Sequence, residues 1–131
     1  MRAKFFDKQD PGNPLNGMTL SDSAALRDII QSARQRAPFM ADLIGENGRQ
    51  LILGLGLADG CVQFSSNDGS PPYVVAVGVN PEEEGEQDFL VCDTKTAIPR
   101  RYCLPMSRVA DIAVVFLETG ERALDVTWEE I

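Results

Sequence analysis

The sequence predicts an α+β domain: an antiparallel sheet of about five to seven strands with two helices packed on one face. Three observations predict it. Only two segments carry apolar residues at helical spacing, one near each end of the chain. Between them lie short alternating or β-branched runs cut by turn residues at hairpin spacing. Strands gathered in a run suit hairpin connections, whereas a parallel sheet would alternate helix and strand. The 131 residues, 44% of them apolar, suffice for one core, so residues 1–131 are expected to form a single domain.

The elements follow in chain order. Residues 1–18 hold two prolines, two glycines and two asparagines, so they read as an extended N-terminal segment and loop, with AKFF as an edge strand. TLSD has capping-box spacing, with Thr19 at the cap and Asp22 three positions on. Leu26, Ile29, Ile30 and Ala33 then share one helical face, and the helix should stop before Pro38. PFMADLIG reads as a strand ending at the GENG turn. In RQLILGLGLADG the residues Leu51, Leu53, Leu55 and Leu57 alternate onto one face, and the glycines between them suggest close approach of another backbone or bending. CVQFSS returns after the ADG turn, NDGSPP makes a second turn, and YVVAVGV is the next strand. NPEEEGEQD reads as an acidic loop before FLVCD resumes strand, and TKTAIPRRYC adds a short extended pair.

The second helix is LPMSRVADIAVVFLETG. Pro105 suits its first turn, where a missing N–H costs nothing. Val109, Ile112, Ala113 and Phe116 form its apolar stripe, and Gly120 stands where a left-handed helix end requires glycine. ALDVTWEEI closes as a strand with Leu124, Val126 and Trp128 on one face. Trp128 can be core or an exposed binding anchor; its apolar companions favour core.

Composition then narrows the function classes. Twelve basic and twenty acidic residues leave a net charge of −8, which disfavours nucleic-acid and anionic-membrane partners. No apolar run approaches the roughly 20 residues of a membrane helix. The opening MRAKFFDKQDPG has no apolar stretch behind its basic residues, so no secretory signal is expected and the protein is read as cytoplasmic. Cys61, Cys92 and Cys103 are odd in number and lack C-x-x-C spacing, so all three are expected as buried small hydrophobes without disulfides.

The chain has no histidine, hence neither the usual general base near neutral pH nor the commonest nitrogen ligand of zinc. GLGLADG matches neither glycine-rich phosphate loop, and PEEEGEQD lacks the oxygen-ligand spacing of a calcium loop. Carboxylates abound, but nothing marks one pair as acid and base. No catalytic residue, cofactor or metal is therefore assigned. The acidic run has two readings, a solvated surface and a recognition patch for a basic partner.

The stretch from Arg100 to Ile131 carries the most specific pattern. Leu104-Pro105 opens a helix, Phe116-Leu117 precedes the turn Thr119-Gly120-Glu121-Arg122, and Val126, Trp128 and Glu130 alternate to the end. With PPYVVAVG ending at Gly78 and the glycine-bearing LILGLGLADG, this resembles the first-numbered family of immunity proteins of bacterial polymorphic toxin systems. The likeness covers residues 19–131 in order of elements. The family's turn continues into proline where this chain has Ala123.

The resemblance implies a non-enzymatic inhibitor that binds a cognate toxin, often a nucleic-acid deaminase, and protects the producing cell. An acidic surface would then cover the toxin's basic substrate groove, as a monomer forming a one-to-one heterodimer. From charge clustering, the candidate contacts are Glu82, Glu83, Glu84, Glu86 and Asp88, followed by Glu129 and Glu130. Pro105, Phe116, Gly120 and Trp128 are assigned to the scaffold. The rival readings are an acidic cytosolic secretion chaperone or adaptor that binds an effector segment, often as a dimer, and a small carboxylate enzyme. An exposed apolar groove or stable homodimer would favour the chaperone.

Overall fold

Apolar alternation and hairpin turns build most of one twisted sheet. The computed structural model describes residues 1–131. In chain order the elements are β1 (Ala3–Asp7), β2 (Met18–Leu20), α1 (Ser23–Ala33), β3 (Phe39–Gly45), β4 (Arg49–Leu55) and β5 (Asp59–Ser66). There follow β6 (Val74–Ala76), β7 (Glu86–Val91), β8 (Thr94–Pro99), a 3-10 turn (Arg100–Tyr102), β9 (Leu104–Pro105), α2 (Met106–Thr119) and β10 (Trp128–Glu130). The main path of the sheet runs β10-β6-β5-β4-β3-β1-β2, antiparallel throughout. β7 joins β3 through one parallel pair, Phe39 with Leu90, and forms an antiparallel hairpin with β8; β9 pairs with β5.

The α+β class and the two helices stand as predicted, but the sheet has ten strands, more than the expected five to seven. The excess has a plain cause. β2, β6, β9 and β10 are two or three residues long, too short to show a period of two. β1 was expected at an edge and instead pairs on both sides, with β2 and with β3. Its buried alternate residues Ala3, Phe5 and Asp7 account for that place.

The helices begin differently from each other. Thr19 is held extended opposite Lys4, so it cannot cap α1. Asp22 takes that role, its carboxylate accepting from the Ala24 N–H at 2.8 Å. Leu26, Ile29, Ile30 and Ala33 are buried, as their spacing predicts. α2 has no side-chain cap; the Met106 N–H instead donates to the Ala58 carbonyl at 2.9 Å. Its apolar face lies on β4 and β5, while α1 packs beside it. Both helices cover the sheet face formed by Phe5, Leu43, Leu51, Leu53, Leu55, Val62 and Phe64.

The other face has its own cover. Phe89 of β7 is fully buried with Met40 and Cys61, flanked by Ile52, Val91 and Ile98. Gly54 makes this possible: a Cβ there would lie 3.0 Å from the Phe89 ring and 2.5 Å from the Cys61 sulfur. A Cβ at Gly56 would sit 1.9 Å from the Asp59 carbonyl oxygen, so the tight β4–β5 turn also depends on close backbone approach. That turn ends the leucine alternation, and Leu57 is exposed instead of joining the other three.

The cysteine expectation fails for two of the three. Cys61 is buried, Cys103 is half-buried, and Cys92 is exposed in the β7–β8 turn. Cys92 and Asp93 occupy the two central turn positions with φ of 47° and 64°, the backbone that a two-residue hairpin turn demands. A Cys-Asp pair carries neither glycine nor asparagine, so the sequence did not advertise it.

α2 closes on Gly120 at φ 76°, with the Gly120 N–H bonded to Phe116 O at 2.7 Å. Asn47 then donates to the Gly120 carbonyl at 2.8 Å and fills the space a Cβ would need. Beyond it, residues 124–126 form a turn where the strand was expected to begin. Arg108 fastens this turn through the Asp125 carboxylate at 2.6 Å and its carbonyl. Leu124 therefore points away from the core and is 99% exposed.

Trp128 is half-buried against the core, with its ring edge-on to Phe64 at 6.4 Å. Its indole N–H donates to the carbonyl of buried Ala123 at 2.9 Å, which locks the turn. Trp128→Ala is expected to lower the unfolding free energy by about 2–3 kcal/mol, less than for a fully enclosed ring. Urea unfolding measures it. Unchanged stability would mean that the ring adds nothing to core packing.

Candidate partner-binding surface

Exposed carboxylates collect where the β4–β5 turn, the β6–β7 loop and the 3-10 turn meet. Two links fix this end. The Gln87 side chain donates to the Asp59 carbonyl at 3.0 Å, and the Arg100 N–H donates to the Gly85 carbonyl at 2.9 Å. Gly78 closes the base of the loop: its N–H donates to the Arg101 carbonyl, and a Cβ there would lie 2.4 Å from the Cys103 carbonyl oxygen. Backbone therefore packs on backbone beneath the acids, which gives the surface a firm base.

The sequence placed five acids on one loop. Glu82, Glu83 and Glu84 do lie on the β6–β7 loop, all exposed. Glu86 and Asp88 belong to β7 instead. Alternation along that strand turns Gln87 and Phe89 toward the sheet and leaves Glu86 and Asp88 in solvent. All five are thus exposed along the loop and the outer side of the hairpin that follows it.

The last two candidates part company. Glu129 is half-buried, and its carboxylate accepts from Arg101 and from the Tyr102 hydroxyl at 2.9 Å. Burial and the Glu129 carboxylate raise the Tyr102 pKa, so the phenol remains the donor. This clasp ties β10 to the 3-10 turn that supports the acidic loop. Glu130 is exposed on β10. The double arginine before the second helix was the available signal for the clasp.

Neither neighbouring thiol is set up as a nucleophile. Burial, with Cys103 close by, pushes the Cys61 thiol up to about 12. Burial and the charges of Asp59 and Glu83 raise Cys103, against the opposing pull of Arg100. No group of three or more acidic or thiol side chains converges as a metal site. No helix is long and apolar enough to cross a membrane.

The molecule is thus an α+β domain with helices on one face of its sheet, the β7–β8 hairpin on the other, and acids exposed at one end. A family model for Immunity protein Imm1 matches residues 16–130, and the chain belongs to that family. Its role is therefore that of an immunity protein, which binds a cognate toxin. A comparison with curated proteins found no match.

Proposed function

We propose that this immunity protein is a non-enzymatic plug. It acts in the cytoplasm of the producing cell, binds its toxin one to one, and covers the toxin's substrate entrance with its acidic end. The observation that carries the reading is the joint exposure of Glu82, Glu83, Glu84, Glu86 and Asp88 on the loop and hairpin anchored by Gly85 and Gln87. A toxin acting on nucleic acid presents cations to phosphates, and a dense acidic surface competes for the same groove. The family's association with deaminase toxins makes a nucleic-acid deaminase our choice of partner, since such enzymes must admit an extruded base.

The pre-folded surface limits the ordering cost of binding, and an interface of standard size would cover about 800 Å² on each partner. Charge at this end chiefly accelerates encounter, while closely packed contacts slow release. The gene beside this chain should encode the toxin, and co-expression of the two should restore growth. In stopped flow, changing Glu82, Glu83 and Glu84 together to lysine should slow association with that toxin about tenfold or more at low salt, and flatten its salt dependence. An unchanged on-rate would exclude the acidic loop from the interface. Failure of the wild-type chain to protect, while folded, would remove the toxin-plug reading itself.

A further inference from the structure

At the far end of β5 two arginines meet on one aromatic ring. Arg49 of β4 and Arg122 of the turn after α2 both lie against the buried Phe64 ring, their guanidinium carbons 5.7 and 5.4 Å from its centroid. With Ser65, Ser66 and Pro72 they line a cleft of about 210 Å³. Arg49 has one acid, Glu121, at 3.4 Å and well exposed; Arg122 makes no ion pair. Arg49 thus has one loosely held partner and Arg122 has none, while exposed Glu130 stands in register with Val74 at the cleft's rim.

We propose that this cleft receives an aspartate or glutamate side chain of the toxin, a second contact remote from the acidic end. The toxin as partner rests on the function proposed above; the position and chemistry of the contact do not. Stacking on Phe64 orients both guanidinium groups, so binding loses less side-chain freedom than with two free arginines. A carboxylate entering the cleft meets the planar, paired donors that arginine offers. Exposed Leu124 stands beside Arg122 on a neighbouring hollow lined by Val115, Thr119 and Glu121. An acid flanked by an apolar residue is the complementary pattern. The eight residues of β5, at about 3.3 Å each, place this cleft some 23 Å from the acidic end, within the reach of one standard interface.

The test uses the purified full chain and its cognate toxin, with affinity measured by calorimetry. Arg122→Glu should weaken binding about tenfold to a hundredfold, mainly through faster release, and Arg122→Lys by less. Arg122 is exposed and gives up only its stacking on Phe64, so both variants should stay folded with a small shift in unfolding midpoint. Changing the matching toxin acid to arginine should restore binding to Arg122→Glu. Affinity within twofold of wild type for Arg122→Glu would overturn the proposal while leaving the plug reading intact. Absence of any wild-type complex would overturn both. Titration with inorganic phosphate supplies a separate control: saturable binding that Arg122→Glu abolishes, without an effect on toxin affinity, would make the cleft a small-anion site and reject the toxin contact.

Discussion

Phe89→Ala should lower the unfolding free energy by about 3–5 kcal/mol, the range for emptying a fully buried aromatic site. The lost transfer energy is only part of this. Phe89 rests over Gly54, between Met40 and Cys61, and the backbone gap at Gly54 cannot close behind the missing ring. The effect should extend to function, because Phe89 shares its strand with Glu86 and Asp88. Loosening the hairpin frees those acids from their common orientation. Urea unfolding with amide exchange would show it, with protection lost first in β7 and β8. A stability change below about 1 kcal/mol would mean that the hairpin does not depend on this ring.

Asp7→Ala is expected to cost about 3 kcal/mol, because the carboxylate is fully enclosed and both oxygens are in use. One oxygen accepts from the N–H groups of Gln9 and Asp10 at 2.8 and 2.9 Å. The other accepts from Asn13 at 3.0 Å and pairs with Arg36 at 2.7 Å. The substitution strands these donors. Arg36 is 42% exposed and can turn to water, which holds the loss below that of breaking a wholly buried pair.

The same residue shapes the response to acid. Burial raises the Asp7 pKa, but the hydrogen bonds from Asn13, Asp10, Arg36 and Gln9 outweigh it and hold the carboxyl below its ordinary value. A depressed folded-state pKa means that the native state binds the proton less readily than the unfolded chain. The Asp7 contribution is therefore complete above an unfolded value of about 4 and disappears as pH falls through the lower folded value. Asp7→Asn should flatten the stability loss in that window. Asp42 acts with the opposite sign. Burial raises its pKa despite Lys8 at 3.6 Å, so its penalty grows as pH rises above the unfolded value. Urea midpoints from pH 2.5 to 6 separate the two. A wild-type acid slope retained in Asp7→Asn would assign acid unfolding to other groups, such as exposed Asp68 and Asp125, whose hydrogen bonds also lower their pKa.

Much of the scaffold was legible because its signals are local. The stripe from Leu26 to Ala33, the stripe from Val109 to Phe116 and the closing glycine at Gly120 each lie within a few turns of chain. The acids of the proposed site were equally visible as a run. Their sorting between loop and strand was hidden, because only pairing with β8 and burial of Phe89 set which way Glu86 and Asp88 point. Leu57 and Leu124 misled for a related reason. Alternation continued in the letters after the strand itself had stopped or before it had begun.

The sequence alone determined the α+β class, the two helices and their buried faces, and the absence of histidine. These depend on periodicity, residue type and neighbours in the chain. Tertiary structure alone decided that β1 lies inside the sheet, that the β7–β8 hairpin covers its second face, and that Glu129 is clasped by Arg101 and Tyr102. It also brought Arg49 and Arg122 together on one ring. Those outcomes join residues far apart in sequence, where loop-closure entropy must be overcome by burial and hydrogen bonding that no local pattern records.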